Sequence, residues 1–241
     1  MRFILLLFLA LAGYHLQAQD YTWFRAGIGY TASKLYKVGG SAEFSNTLEP
    51  SGAFYNFNLR KEISEMISIE TGFMERGYHN NFSIDGDKYG SFGSFESYQI
   101  PLKIYLDLNL YRERILMFTS FGYTFCIEGH TGSGLVTSTS IKDTVVLTAS
   151  YSTLPESKYH SLFSVSTGAR IRIIEELLIE LELGYAFGFE DLRRFEITYY
   201  DDSGVLNEIY GTDRGRYWFL GIRLSYPLER VLDIVQIGLK H

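Results

Sequence analysis

Nucleophilic chemistry needs a hydroxyl within reach of a base, and this 241-residue chain offers one cluster of that kind on a strand-like segment. His160 stands beside Ser161, with Ser164 two alternations further along. Given an acidic residue to orient the ring, the imidazole could take the hydroxyl proton, as nucleophilic hydrolysis requires. The plainer reading is a histidine at a loop–strand junction, and the expected catalytic set is therefore none. Asp85, Asp87, Asp191, Asp201, Asp202 and Asp213 could gather calcium, but they lack the spacing of a calcium loop. Asp–Gly and Asp–Ser pairs mark turns. No phosphate loop, dinucleotide fingerprint or metal motif is present, so no cofactor and no metal site are expected. The single Cys126 excludes an internal disulfide and any multi-cysteine metal site.

A second pattern is electrostatic. Arg170 and Arg172 alternate along one segment, and Glu180 and Glu182 along the next, with Ile174, Glu175 and Glu176 between them. A turn centred on Glu175 sets Arg170 opposite Glu180, with Arg172 diagonal to it. A turn centred on Glu176 sets Arg172 opposite Glu180 and Arg170 opposite Glu182. Both registers keep these side chains on one face, because a shift by a single residue would invert it. With Glu70 and Arg223 they form the candidate ion network: Arg170, Arg172, Glu180, Glu182, Arg223 and Glu70.

The element that must position them runs over residues 161–190. Phe163, Val165, Thr167, Ala169, Ile171 and Ile173 share one face, and Leu177, Ile179, Leu181, Leu183, Tyr185, Phe187 and Phe189 continue it after the turn. Strict alternation over this length predicts a hairpin of two long strands. Six further stretches of the same kind complete a set of eight: 21–31, 52–60, 66–78, 95–109, 114–128, 159–173, 177–200 and 215–228. Their apolar faces carry no charge, although 21% of the chain is charged. Arg25, Arg60, Arg76, Lys103, Asp107 and Glu128 fall on the opposite face. No helix is available to cover the apolar faces, so lipid is the expected cover. The predicted fold is all-β, an eight-stranded antiparallel transmembrane β-barrel with charges inside. Pro101 interrupts the fourth strand and predicts a local bulge.

Short connections at 61–65, 110–113 and 174–176 alternate with long ones rich in Gly, Ser, Thr, Asn and Asp. Short turns facing the periplasm and long loops facing outward are the outer-membrane pattern. Residues 195–200 with 205–210, and 135–140 with 144–151, read as hairpins within the long loops. Tyr30, Phe73, Tyr98, Phe125, Phe163, Phe187, Phe189 and Trp218 fall at the loop-side strand ends, where an aromatic belt belongs.

The domains follow: 1–18 a signal peptide with its apolar core from Phe3 to Ala12, 19–228 the barrel, and 229–241 a tail, either a short helix or extended. Removing Arg2 with the leader takes the formal charge from −6 to −7, which argues against nucleic acid as a partner. Expected partners are outer-membrane lipid, the barrel-assembly machinery during insertion, and an envelope protein at the loops.

Ile67-Ser68-Ile69-Glu70-Thr71-Gly72-Phe73 with Arg76-Gly77-Tyr78, and Tyr98-Gln99-Ile100-Pro101-Leu102-Lys103-Ile104-Tyr105, resemble strands of the PorT-like outer-membrane β-barrel domain family. Ser166-Thr167-Gly168-Ala169 and Leu181-Glu182-Leu183-Gly184-Tyr185 resemble two further segments of it. The resemblance covers roughly residues 19–228 and implies the same porin-like fold. Functionally the family is mixed. Some of its members serve a protein-secretion apparatus, which makes a barrel subunit of a secretion or envelope assembly one alternative and a lipid A-modifying enzyme another. The expectation from the residues themselves is a non-enzymatic outer-membrane barrel with a closed, charge-filled lumen and exposed binding loops.

Overall fold

The computed structural model describes residues 22–40, 44–46, 52–84, 88–111, 114–129, 133–139, 146–153, 158–174, 176–200 and 205–232. The leader at 1–18 and residues 233–241 of the tail lie outside them, as do Glu175 and four of the loop aspartates, Asp85, Asp87, Asp201 and Asp202.

The described strands are β1 (Thr22–Gly40), β2 (Phe44–Asn46), β3 (Gly52–Glu62), β4 (Ile67–Ile84), β5 (Lys88–Tyr111), β6 (Ile115–Glu128), β7 (Ser133–Thr139), β8 (Val146–Thr153), β9 (Tyr159–Ile174), β10 (Leu177–Phe187), β11 (Arg193–Tyr200) and β12 (Leu206–Pro227). Eight of them close a barrel in the order β1-β3-β4-β5-β6-β9-β10-β12, and β12 returns to pair with β1. Every neighbouring pair is antiparallel, so the protein is the eight-stranded antiparallel barrel that the alternation predicts. Closure leaves the membrane-level strands with no unpaired edge, which is the condition for a sheet to sit in lipid.

Burial follows the period of two. On β3, Phe54, Asn56, Asn58 and Arg60 are buried while Tyr55, Phe57 and Leu59 are exposed. On β10, Leu178, Glu180, Glu182, Gly184 and Ala186 are buried in the same way. The usual relation of polarity to burial is inverted, with charges inside and large apolar groups outside.

Three departures from the sequence reading have identifiable causes. The stretch at 177–200 is two strands, not one. Leu192 and Arg193 are both buried, so the alternation slips by one residue there, and Arg193, Phe195 and Ile197 turn inward on β11. β11 pairs with the upper part of β12 from Arg193↔Asp213 to Tyr200↔Leu206, as the expected hairpin does. It also pairs with β8, whose other neighbour is β7, so the two loop hairpins merge into one sheet, β12-β11-β8-β7. At Gly215 β12 exchanges β10 for β11 on one edge while β1 stays paired on the other; the φ of +67° there suits glycine, and the Gly215 N–H donates to Asp213 Oδ1 at 2.8 Å.

The second departure is at Pro101, where no bulge forms. Thr71↔Leu102 and Met74↔Gln99 share one register on β4 and β5, and the two pairings between them are missing. Pro101 removes a donor without adding a residue, so the ladder opens locally while the register holds. Thirdly, β9 and β10 carry an irregularity at Leu177/Leu178: Leu177 pairs with Ile174, while Leu178 pairs with Arg172 in the register of the rest of the hairpin. Arg172 is half-buried at the turn end. In the tail, residues 228–232 are helical, and Arg230 Nη2 lies 3.0 Å from Glu176 Oε1.

Candidate functional site: two ionic layers in the barrel lumen

The inward positions nearest the short turns carry a chain of alternating charges. Arg25 bonds both Glu70 and Glu180. Arg170 reaches Glu180 Oε2 through Nε at 2.9 Å and Asp107 Oδ1 through Nη2 at 2.9 Å. Asp107 in turn pairs with Arg60. The order Glu70–Arg25–Glu180–Arg170–Asp107–Arg60 draws on six strands, β1, β3, β4, β5, β9 and β10, so it exists only when the barrel is closed. A second cluster lies one step towards the loops. Glu182 accepts from Lys103 Nζ at 3.0 Å, from Ser166 Oγ at 2.5 Å, and from Arg223.

Neutral groups complete the first cluster. Asn58 Nδ2 and Tyr105 Oη donate to Glu70 Oε1 at 2.9 and 3.1 Å. Ser225 donates to Glu180. The Tyr105 ring lies under the Arg60 guanidinium at 4.5 Å, and Phe118 under that of Arg170 at 4.7 Å. Packing of this kind satisfies charges that lipid-facing walls and side-chain crowding hold away from bulk water.

Of the candidate network, Glu70, Arg170, Glu180, Glu182 and Arg223 are brought together in this region, and Arg172 stands half-buried at its turn end. The observed register is Glu180↔Arg170, the one centred on Glu175. Glu182 faces Gly168, and its cations come from β5 and β12.

Above this layer the lumen becomes apolar. Phe54, Cys126, Leu162, Ala186, Tyr217 and Phe219 pack together, with Met74 against them. Phe54 and Phe219 meet edge to face at 6.3 Å. Inward glycines make room for these rings: a Cβ on Gly184 would run into the Phe219 ring, and one on Gly29 into Phe54. Tyr217 Oη donates to Gln99 Oε1 at 2.9 Å, so the polar edge of this layer is also paired.

A second ionic layer closes the loop end, and its central cation was not among the sequence candidates. Arg193 enters from β11, outside the barrel strands proper. It bonds Glu128, reaches Asp213 Oδ2 at 3.0 Å and donates to Tyr78 Oη at 2.5 Å. Its guanidinium lies 4.1 Å from the Phe95 ring centroid. Arg76 is held between the Tyr78 and Tyr217 rings at 3.8 and 3.7 Å, and donates to Ser33 Oγ at 2.6 Å. Period-two patterning gave no sign of it, because the phase slip shows only as the doubled burial of Leu192 and Arg193 in the structure.

The enzyme candidates are separated. His160 points inward and its Nε2 lies 3.7 Å from Glu128 Oε1, so an acidic neighbour exists. Ser161 is on the other face, where its Oγ lies 2.5 Å from Tyr123 Oη. Ser164 is inward but four residues along the strand, about 13 Å away at strand rise, with buried Leu162 between. The loop aspartates that are described have partners: Asp191 accepts from Arg214 Nε at 2.7 Å, and Asp213 pairs with Arg193. Among the described residues no group of three or more His, Cys, Asp or Glu is placed to hold a metal.

Outside, Ile28, Tyr55, Phe57, Ile104, Phe121, Leu181, Leu183, Leu220 and Leu224 are exposed and surround the barrel. Aromatic rings gather towards the loop end, with Tyr185 and Trp218 at 4.8 Å, Phe163 and Phe187 at 6.0 Å, and Phe73 and Tyr98 at 6.1 Å. A closed barrel wearing an apolar belt with an aromatic girdle is stable only with lipid around it. It sits in an outer membrane.

Comparison with solved structures returns proteins of that membrane. The outer membrane protein OprG from Pseudomonas aeruginosa is 11% identical, with a TM-score of 0.45 and coverage of 88% of this chain and 98% of that one. A major outer membrane protein from Thermus thermophilus is 12% identical, with a TM-score of 0.45 and coverage of 86% and 98%. Neisserial surface protein A is 9% identical, with a TM-score of 0.42 and coverage of 84% and 95%. No protein-family model matches the chain. No curated protein matches it either.

Proposed function

We propose that the protein is a closed, non-enzymatic outer-membrane barrel that presents the sheet β12-β11-β8-β7 to an envelope or extracellular partner. The observation that carries this reading is the occupied lumen: among the described residues, two ionic layers with an apolar layer between them draw inward side chains from all eight barrel strands. An eight-stranded barrel is only wide enough for side chains, and here they interlock. What remains for contact with other molecules is the outer wall and the loop sheet, in which β11 and β12 extend well past the lipid belt.

The leader at 1–18 exports the chain, and Gly221, Leu224 and Tyr226 on the last strand supply the signal for the barrel-assembly machinery. In this reading the PorT-like segments, 67–78 and 98–105, form adjacent strands β4 and β5 of one wall. The test is the purified mature protein in planar bilayers, together with impermeant maleimide labelling of intact cells. Absence of steady ion conductance is expected, as is labelling of Val205→Cys but not Ser64→Cys in a Cys126→Ser background. Steady conductance would overturn the closed lumen, and reversed labelling would overturn the orientation. For the non-enzymatic claim, lipid A from a deletion strain should match wild type; an altered lipid A reproduced by His160→Ala would replace this reading with an enzyme.

A further inference from the structure

Charge just beyond the aromatic girdle is unevenly spread around the barrel. On β12 the outward positions that follow Trp218 towards the loops are Arg216 and Arg214. Arg216 Nε donates to Gly188 O at 3.0 Å and Arg214 Nε to Asp191 Oδ1 at 2.7 Å, so both guanidiniums are held against the wall. Exposed Arg194 lies opposite Thr212, one outward position above Arg214. Beneath them is an aromatic floor: Trp218 against Tyr185, and Phe187 against Phe189 at 5.8 Å. Asp191 and exposed Glu190 are the carboxylates beside Arg214 and Arg216, and exposed Glu196 follows Arg194 one outward position further along β11. Across the barrel the corresponding outward positions on β4 and β5 are Glu75 and Glu96, and Tyr98 Oη donates to Glu96 Oε2 at 3.4 Å. One side of the rim sets cations over aromatic rings, and the other sets carboxylates over them.

We propose that the β10–β12 face binds a phosphate-bearing lipid of the extracellular leaflet, with its phosphate on Arg214 and Arg216 and its acyl chains along Trp218, Phe187 and Phe189. Guanidiniums at headgroup height match phosphate in charge and in fork geometry. The rings directly below match a chain that begins at that phosphate, which a soluble anion does not have. The acidic far side repels the same headgroup, so the lipid is directed to one face. This inference rests on the outward orientation of the loops proposed above but not on the closed lumen. Reversed maleimide labelling would remove the leaflet, whereas the binding measurement below tests the site by itself.

The experiment is native mass spectrometry of the purified mature chain in detergent, titrated with bis-phosphorylated lipid A and with its dephosphorylated form. Wild type is expected to hold the phosphorylated lipid about tenfold more tightly or better, and Arg214→Gln/Arg216→Gln to lose about thirtyfold, the effect of removing two headgroup-level cations. Glu75→Gln on the far side should leave binding unchanged. Equal affinity of wild type for the two lipids overturns the proposal, and this comparison needs no variant, so it stands even where the double variant does not fold. A folded double variant with wild-type affinity also overturns it. Displacement of the lipid by inorganic phosphate at equal concentration would show a site for a free anion, and the lipid assignment would fall.

Discussion

The two ionic layers are built from similar residues by different routes. In the layer near the turns, every member sits at an inward position of a barrel strand, and the chain Glu70–Arg25–Glu180–Arg170–Asp107–Arg60 crosses six of them. In the layer near the loops, Glu128 and Tyr78 come from barrel strands, but the central cation Arg193 is carried in by β11. The first layer is a product of barrel closure. The second is a product of the loop sheet packing over a barrel already closed, and the apolar layer around Phe54 and Phe219 separates the two. Removing a charge from the first should therefore damage the barrel, and removing one from the second should loosen the cap.

The largest effect is expected in the turn-end layer. Glu180→Gln leaves Arg25 only Glu70 and Arg170 only Asp107, and Arg170→Met leaves Glu180 only Arg25 and Asp107 only Arg60; each single change should cost about 3–5 kcal/mol, because it leaves an uncompensated charge in a buried cluster. The double variant should recover part of the loss in urea unfolding from lipid vesicles. Singles at wild-type stability would mean that this layer is wet and that the contrast with the other layer is unfounded.

The lipid face gives a calibration against the interior. Leu183 is exposed on the belt beside inward Gly184, and Leu183→Arg should cost about 2–4 kcal/mol in the same assay. An unchanged midpoint would reverse the assignment of inside and outside on β10.

Arg193→Met sharpens the comparison most directly. It leaves Glu128 with Tyr78 and His160 beside it, and Asp213 with the Gly215 N–H, so the expected cost is about 1–3 kcal/mol, below that of Glu180→Gln. Conductance should stay absent, since the turn-end layer still fills the lumen. A variant that conducts by itself would show that the cap alone closes the barrel.

The smallest effect belongs to the surface pair Arg214–Asp191, whose side chains are each 37% exposed. Arg214→Gln should change stability by less than about 1 kcal/mol. A loss comparable to that of Arg193→Met would place Arg214 in the cap and not on its rim.

By itself the sequence determined which side of each membrane strand meets lipid. Alternation with period two is a local property, and Leu181, Leu183 and Tyr185 against Glu180, Glu182 and Gly184 allow only one assignment of faces. It also limited the β9–β10 register to two choices, since any odd shift would expose Glu180 to lipid. Between those two the tertiary structure decided: Arg170 lies opposite Glu180 and also reaches Asp107 on β5 across the lumen. In that register Arg172 falls opposite Leu178 at the turn end. Pro101 kept its register because both neighbouring strands were already paired around it. Arg193 was invisible for the same kind of reason. Its partners Glu128, Tyr78 and Asp213 are 65, 115 and 20 residues away in sequence, and the phase slip that turns it inward comes from β11 leaving the barrel to pair with β8. Local periodicity reports which way a side chain points within its own strand. Which charge it meets there is set by the closure of the sheet, which no single segment encodes.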